Sequence, residues 1–331
     1  MSSTARWTRR AFMAALAAAA ITAAPATRAD DAAAFPQGQM KIVVPYSPGG
    51  GTDILARAIA QQLGELLHRS VIVENRTGAN GTIGAAYVAK APADGLTMLL
   101  VPAGYAANPA MYKSLPYDQA RDLLPVSLLA SGPLVLVVHP SLPVKSTKEL
   151  IALAKSKPGQ INVGNAGIGS LPHLSAELFN STAGVKLVSV PYKGAGPALT
   201  DVLGGRVPVY FMNILQSLPL IKDGQLRALG VTSPQASPIA PDVPPIAADL
   251  PGFDMTNWYG MLVPAGTPPD TVHALSRVIA SVLTQPDIKQ RMYNEGMSVV
   301  ASTPERFGEF LTTETAKYNR IIESAGIKNS L

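Results

Sequence analysis

The sequence predicts an α/β protein built as two lobes, and three observations predict it. Short β-branched runs alternate with segments whose apolar residues recur at helical spacing. The alternation runs through the chain twice with different residues, and in each set a glycine-rich turn joins a strand to a helix. Strands recurring about every 30 residues with helices between them imply βαβ units and a parallel sheet covered on both faces. With 331 residues, 47% of them hydrophobic and 15% charged, the chain is long and apolar enough for two packed units.

The first 29 residues read as an export leader rather than as part of the fold. Basic residues run through Arg10, an Ala-rich apolar stretch covers 11–24, and small residues follow up to Ala29, where cleavage is expected, with Ala26 or Ala34 as other positions. The apolar stretch is shorter than the roughly 20 residues that span a bilayer. Thr8, Arg9, Arg10, Ala11, Phe12 and Met13 resemble a twin-arginine signal, and a Sec signal with two arginines reads equally well. Arg6, Arg9, Arg10 and Arg28 all lie in this leader with no acid beside them. The net charge of +5 is therefore mostly the leader's, and a nucleic-acid partner loses its support. The rest is expected to be soluble in the periplasm.

From residue 40 the elements follow in order. Residues 41–46 (KIVVPY) form a strand, and Leu55, Ile59, Leu63, Leu66 and Leu67 mark the helix after it. Strands at 71–73 and 98–101 enclose an Ala-rich helix at 83–91. The second set has strands at 134–138, 161–163, 187–191, 207–212 and 226–231, with helices at 147–155, 170–179 and 197–203. Two stretches read as connections between lobes: 125–133, and the proline-rich 233–251. A strand at 259–263 and two helices close the chain, the first from Asp270 and the second opening at Thr303 and Pro304, an N-cap followed by proline. Lobe 1 is thus expected to comprise 30–133 and 253–331, and lobe 2 to comprise 134–252.

The chemistry gathers at two strand-to-helix junctions. In the first, Ser47, Pro48, Gly49, Gly50, Gly51, Thr52 and Asp53 lie between the first strand and first helix. Glycines without a Cβ let backbone NH groups converge on a bound group, and the helix N-terminus adds the positive end of its dipole, so such a turn favours an anion. Thr52 or Asp53 can cap this helix. In the second, Gly167, Ile168 and Gly169 open the turn, Ser170 caps, and Pro172 stiffens the first helical turn. Either junction alone also reads as an ordinary tight turn; one in each lobe would enclose a small anion between opposed helix N-termini.

Other residues read more plainly. His173 is expected to cap or pack, Lys193 to be solvated, residues 74–76 to brace the first loop, and Trp258 and Tyr259 to plug the hinge or touch ligand. Zero Cys excludes disulfides, thiolate metal sites, a cysteine nucleophile and lipid anchoring after the leader. Four scattered histidines without an H-E-x-x-H argue against a metal centre, and no cofactor is expected. There is no Walker A motif and no G-x-S-x-G; Pro172 stands where a dinucleotide fingerprint needs its third glycine. Capture fits this pattern better than turnover.

Five segments together resemble the Bug family, the TctC-like extracytoplasmic solute receptors of tripartite tricarboxylate transporters: 45–57 (PYSPGGGTDILAR), 71–85 (VIVENRTGANGTIGA), 93–99 (ADGLTML), 167–179 (GIGSLPHLSAELF) and 190–207 (VPYKGAGPALTDVLGGRV). The resemblance runs in order over nearly the whole chain after the leader. It implies a type II periplasmic-binding fold, with a ligand cleft between two α/β lobes that close on ligand. It also implies that the two glycine loops grip one carboxylate, partly through water. That places Ser47, Gly49, Gly50, Gly51, Thr52 and Asp53 on one side and Gly167, Ile168, Gly169 and Ser170 on the other. Asp53 would orient water or cap the helix, since like charges repel at contact distance. Tyr105, Tyr192 and Asn213 would read the distal part of the ligand.

One stretch departs from the family. Relatives place aspartates after the Gly-Gly-x-Val turn, whereas residues 207–213 read VPVYFMN. Pro208 suggests an edge strand. Fewer acids near the cleft count against an amino-acid ligand, whose ammonium would want a carboxylate. The expected function is a periplasmic receptor that captures a small carboxylate-bearing solute and delivers it to membrane permease subunits. An exported hydrolase or transferase, or a receptor reporting to a signalling partner, are the alternatives.

Overall fold

The computed structural model describes residues 38–192 and 194–329. The leader, its cleavage sites and Lys193 lie outside the described residues. β1 (Met40–Val44) alternates its side chains between two cores, Ile42 and Val44 entering one and Val43 the other, so both faces of the strand are covered. α1 (Gly51–Leu67) buries Leu55, Ile59, Leu63 and Leu67 of the stripe its spacing predicts, while Leu66 is exposed. β2 (Val71–Asn75), α2 (Thr82–Ala89), β3 (Thr97–Pro102) and the short α3 (Asn108–Met111) follow. β1 pairs in parallel with β2 and with β3.

β4 (Leu123–Val138) is a single strand of 16 residues. After it come α4 (Thr147–Ser156), β5 (Asn162–Asn165), α5 (Leu171–Ala183), β6 (Val188–Pro191), α6 (Ala195–Leu203), β7 (Val209–Asn213), α7 (Ile214–Lys222) and β8 (Arg227–Val231). The chain ends with β9 (Thr256–Pro264), α8 (Pro269–Leu283), α9 (Pro286–Asn294), β10 (Ser298–Val299) and α10 (Pro304–Ser324). Strands lie in the order β2-β1-β3-β9-β4-β7-β5-β6, with β8 and β10 also on β4. Among the described residues no helix is long and apolar enough to cross a membrane.

The sheet is mixed, not parallel throughout as the strand spacing suggested. β2-β1-β3 and β6-β5-β7 are parallel, but β9 runs antiparallel to β3 and β4, and β4 runs antiparallel to β7 and β8. The stretch 125–133, read as a connection, is the first part of β4. Its prolines are tolerated because the β9 register slips between Pro125 and Ser127, and because Pro133 ends the β9 pairing at Thr256. From Leu134 the same strand pairs with β7 and β8 instead. One strand therefore serves both halves of the sheet.

Pro208 does not mark an edge. β7 is flanked by β4 and β5, and Pro208 lies just before it, where its carbonyl accepts from the His139 NH at 2.9 Å and its missing donor breaks no ladder. α7, with Pro219 inside it, was not anticipated; Asn213 nucleates it by accepting from the NH groups of Leu215 and Gln216.

Candidate ligand-binding site

The first glycine loop is held from below by a buried carboxylate. Asp53, 3% exposed, accepts from the Gly49 NH at 2.9 Å and Arg57 Nε at 3.0 Å through Oδ2, and from Asn75 Nδ2 at 2.9 Å through Oδ1. Asn75 Nδ2 also donates to the Tyr46 carbonyl at 3.0 Å, so of the expected brace 74–76 Asn75 holds the loop, whereas the Glu74 side chain pairs with Lys41 and Arg76. Burial alone would raise the Asp53 pKa, but the Arg57, Gly49 and Asn75 hydrogen bonds outweigh it and hold the carboxyl below its ordinary range. Neither Asp53 nor Thr52 caps α1. Its N-cap is Gly50, without a side-chain acceptor, because Asp53 is spent on the loop and Thr52 lies against the Tyr259 hydroxyl. The amides of Gly50, Gly51 and Thr52 meet no acceptor among the described residues.

The three glycines differ in why they are glycine. Gly49 has φ 85°, which other residues rarely adopt. A Cβ at Gly50 would meet only the Ser47 carbonyl, at an ordinary 3.9 Å, and Gly51 is packed so tightly that a Cβ there would stand 2.5 Å from the Tyr259 hydroxyl. Ser47, Gly49 and Gly50 are exposed, Gly51 is half-buried, and Thr52 and Asp53 are buried beneath them.

The second loop is arranged differently. Gly167 and Gly169 take φ 123° and 78°. The Gly167 NH donates to Asn165 Oδ1 at 2.9 Å, the Gly169 NH to His173 Nδ1 at 3.2 Å and the Ser170 NH to the Gly167 carbonyl at 3.1 Å. Ser170 caps α5 by accepting from the His173 NH. The expected symmetry of two open donor sets is therefore absent. On this side the groups left to face a ligand are the Ile168 NH, the 56% exposed Ile168 side chain, and the Ser170 O–H, whose proton the cap does not use. His173 is buried and bonded, in line with its expected packing role, and burial lowers its pKa.

α3 lies beside the second loop and touches the 79–81 turn, which in turn meets Tyr46. Asn80 Nδ2 donates to Asn108 Oδ1 at 2.8 Å, and the Tyr46 hydroxyl reaches the Asn80 carbonyl at 3.3 Å. One turn on, Met111 Cε lies 3.3 Å from where a Gly169 Cβ would be. Ala79 and Asn80 are both left-handed, at φ 46° and 48°, a strained pair in this corner. Asn80 stands in a glycine-flanked turn that the sequence could have nominated; Asn108 and Met111 gave no local sign.

The distal residues are placed otherwise than expected. Tyr105 is 2% exposed inside the core, so it offers no surface to a ligand. The Tyr192 hydroxyl donates to Asp201 Oδ2 at 2.6 Å, beside the Asp201–Arg206 ion pair. Asn213 caps α7 with Oδ1 and donates Nδ2 to the Glu295 carbonyl at 2.9 Å, stitching the two halves of the sheet together. Trp258 is fully buried, with Nε1 on Glu314 Oε2 at 3.0 Å. Two cavities lie elsewhere. One of about 940 Å³ lies between 109–125 and the Gly308, Leu311, Thr315 and Asn319 side of α10, and one of about 230 Å³ lies beside 233–239; neither is lined by a glycine loop. Among the described residues no three His, Asp or Glu side chains gather as a metal site requires.

Two sheet halves sharing β4, each with a glycine-rich strand-to-helix junction, define a two-lobed periplasmic-binding-protein fold. Solved structures agree. The adipate-bound R. palustris protein Rpa4515 superposes with TM-score 0.74 at 36% identity, covering 89% of this chain and 99% of its own. MatC (Rpa3494) from Rhodopseudomonas palustris, with bound malate, gives 0.71 at 31% identity over 87% of this chain and 100% of its own. Protein BugT of Bordetella pertussis is 36% identical over 297 residues, 89% of this chain and 91% of its own. The model of the tripartite tricarboxylate transporter family receptor matches residues 55–327, and the chain belongs to that family.

Proposed function

We propose that the protein is a periplasmic receptor that captures a small carboxylate-bearing solute and passes it, unaltered, to the permease subunits of a tripartite tricarboxylate transporter. The observation that carries this reading is the uncapped N-terminus of α1: three adjacent amides without acceptors, on a loop fixed by Asp53 and Asn75. The adipate and malate held by two relatives support a carboxylate as the anion. Ser47, Gly49, Gly50, Gly51 and Thr52 hold one side of it, with Asp53 as their brace. Ile168 and Ser170 close from the other side, shaped by Gly167 and Gly169. Tyr105, Tyr192 and Asn213 are left out of direct contact, because each is buried or already bonded.

Closure is a rotation of the second lobe, from residue 134 to 252, against 38–133 and 253–329, with hinges where β4 changes partners at Pro133 and Leu134 and where the chain re-enters β9. Only the closed form brings both loops to the ligand, and that difference in contacts drives closing. Calorimetry with adipate, malate and a panel of other carboxylates tests capture, with mass spectrometry of the recovered ligand. Conversion of the ligand would replace receptor with enzyme. Amino-terminal sequencing of the periplasmic protein tests export, with Ala29 as the expected cleavage point.

A further inference from the structure

Glu295 stands beside the first glycine loop with no side-chain partner among the described residues. The turn after α9 brings its Oε2 to 3.4 Å from the Cβ position of Gly51, next to the Tyr259 hydroxyl. Its backbone is fixed from the other half of the sheet, since Asn213 Nδ2 takes its carbonyl and Gly296, at φ 73°, packs against Ile214. The side chain is half-buried, and among the described residues its carboxylate has no ion pair and no hydrogen-bond donor. Its burden falls on Tyr259, whose pKa rises to about 12, first through burial and then through the Glu295 charge.

A solute carboxylate on the Gly50–Thr52 amides would arrive close to this second negative charge. A half-buried unpaired carboxylate repels a second one unless a cation stands between them. We propose that Glu295 is a specificity residue that meets an ammonium group, so that the solute is an amino-bearing carboxylic acid. This deepens the receptor reading and rests on it. The acidic partner that 207–213 lacks is supplied instead from the end of α9, far along the chain. Dicarboxylates without an amino group are disfavoured by the same charge.

The test is calorimetry on the full chain with matched pairs: L-aspartate against succinate and L-glutamate against glutarate. The wild type is expected to bind the amino-bearing member of at least one pair about 10-fold or more tightly, the scale of one compensated charge. Glu295→Gln is expected to remove that preference and to tighten the dicarboxylate, while Glu295→Asp keeps the preference. Circular dichroism checks that the variants are folded, and the wild-type ratios decide the matter even if they are not. Dicarboxylates binding as well as their amino counterparts, or a ratio unchanged in folded Glu295→Gln, overturn the proposal. If adipate or malate binds and the amino preference is absent, only the role of Glu295 falls. If no carboxylate binds at all, the receptor reading falls and takes this proposal with it.

Discussion

The Tyr259 hydroxyl occupies the space a side chain at Gly51 would need, 2.5 Å from its Cβ position. A glycine that looks like part of an anion loop is therefore also a packing requirement set by a strand about two hundred residues away. Gly51→Ala is expected to push the start of α1 off β9, lowering stability by about 1–3 kcal/mol as overpacking does, and to weaken ligand binding by displacing the free amides. Adding Tyr259→Phe removes the clashing oxygen and should restore part of both. Thermal melts and calorimetry on the two single variants and the double variant measure the coupling.

The Asp53 network gives a pH signature. Because the folded pKa lies below the ordinary 3.8, this group contributes stability fully above that value and loses it as the pH falls through the folded pKa. Asp53→Asn should lower the melting temperature at neutral pH, where Arg57 and the Gly49 NH lose a charged acceptor, and should flatten the acid limb of the stability curve. Melting temperature against pH from 2 to 7 for both proteins checks it; parallel curves would refute the assignment.

His173 places a second titration behind the other loop. Its folded pKa is lowered from 6.5 by burial, so the neutral ring that accepts the Gly169 NH is stable above that value and is lost as the pH falls through the folded pKa. Protonated Nδ1 would point a donor at a donor. Glu177 Oε1, 3.8 Å from Nε2, faces the other ring nitrogen, and burial raises its pKa, so its proton also stays on more readily in acid. Ligand affinity is expected to weaken in acid, on the low side of the ordinary histidine value of 6.5. His173→Gln, which can accept without titrating, should bind with a flatter pH profile in calorimetry between pH 5 and 8.

Gly169 should tolerate no side chain. Gly169→Val combines φ 78° with a contact on Met111, and is expected to weaken binding at least tenfold; Met111→Ala relieves the contact but not the backbone strain, which costs about 1–2 kcal/mol. Ser170→Ala removes the α5 cap and, on the proposed reading, one hydrogen bond to the ligand, each about 1 kcal/mol. Unchanged affinity in Gly169→Val would place the ligand away from this loop.

Much of the fold was legible because its signals are local. The β-branched run of β1, the helical stripe of α1, the Ser170 and Thr303 caps and the two glycine junctions all lie within a few residues of the positions they determine. The readings that failed depended on neighbours the sequence does not rank. Residues 125–133 look like a linker until β9 lies alongside, and Pro208 looks like an edge until β7 is seen between β4 and β5, with the Pro208 carbonyl accepting from the His139 NH just before the ladder.

The sequence by itself determined where strands hand over to helices, and hence which backbone amides could face an anion. Tertiary structure alone decided which of those amides stay open: Gly50 to Thr52 do, while Asn165, His173 and the turn's own carbonyl consume most of the donors at 167–170. It also alone brought Tyr259, Glu295 and Met111 to the loops. Backbone periodicity encodes neighbours a few residues apart, whereas a half-buried charge or a filled Cβ position depends on segments that meet only when the sheet is assembled.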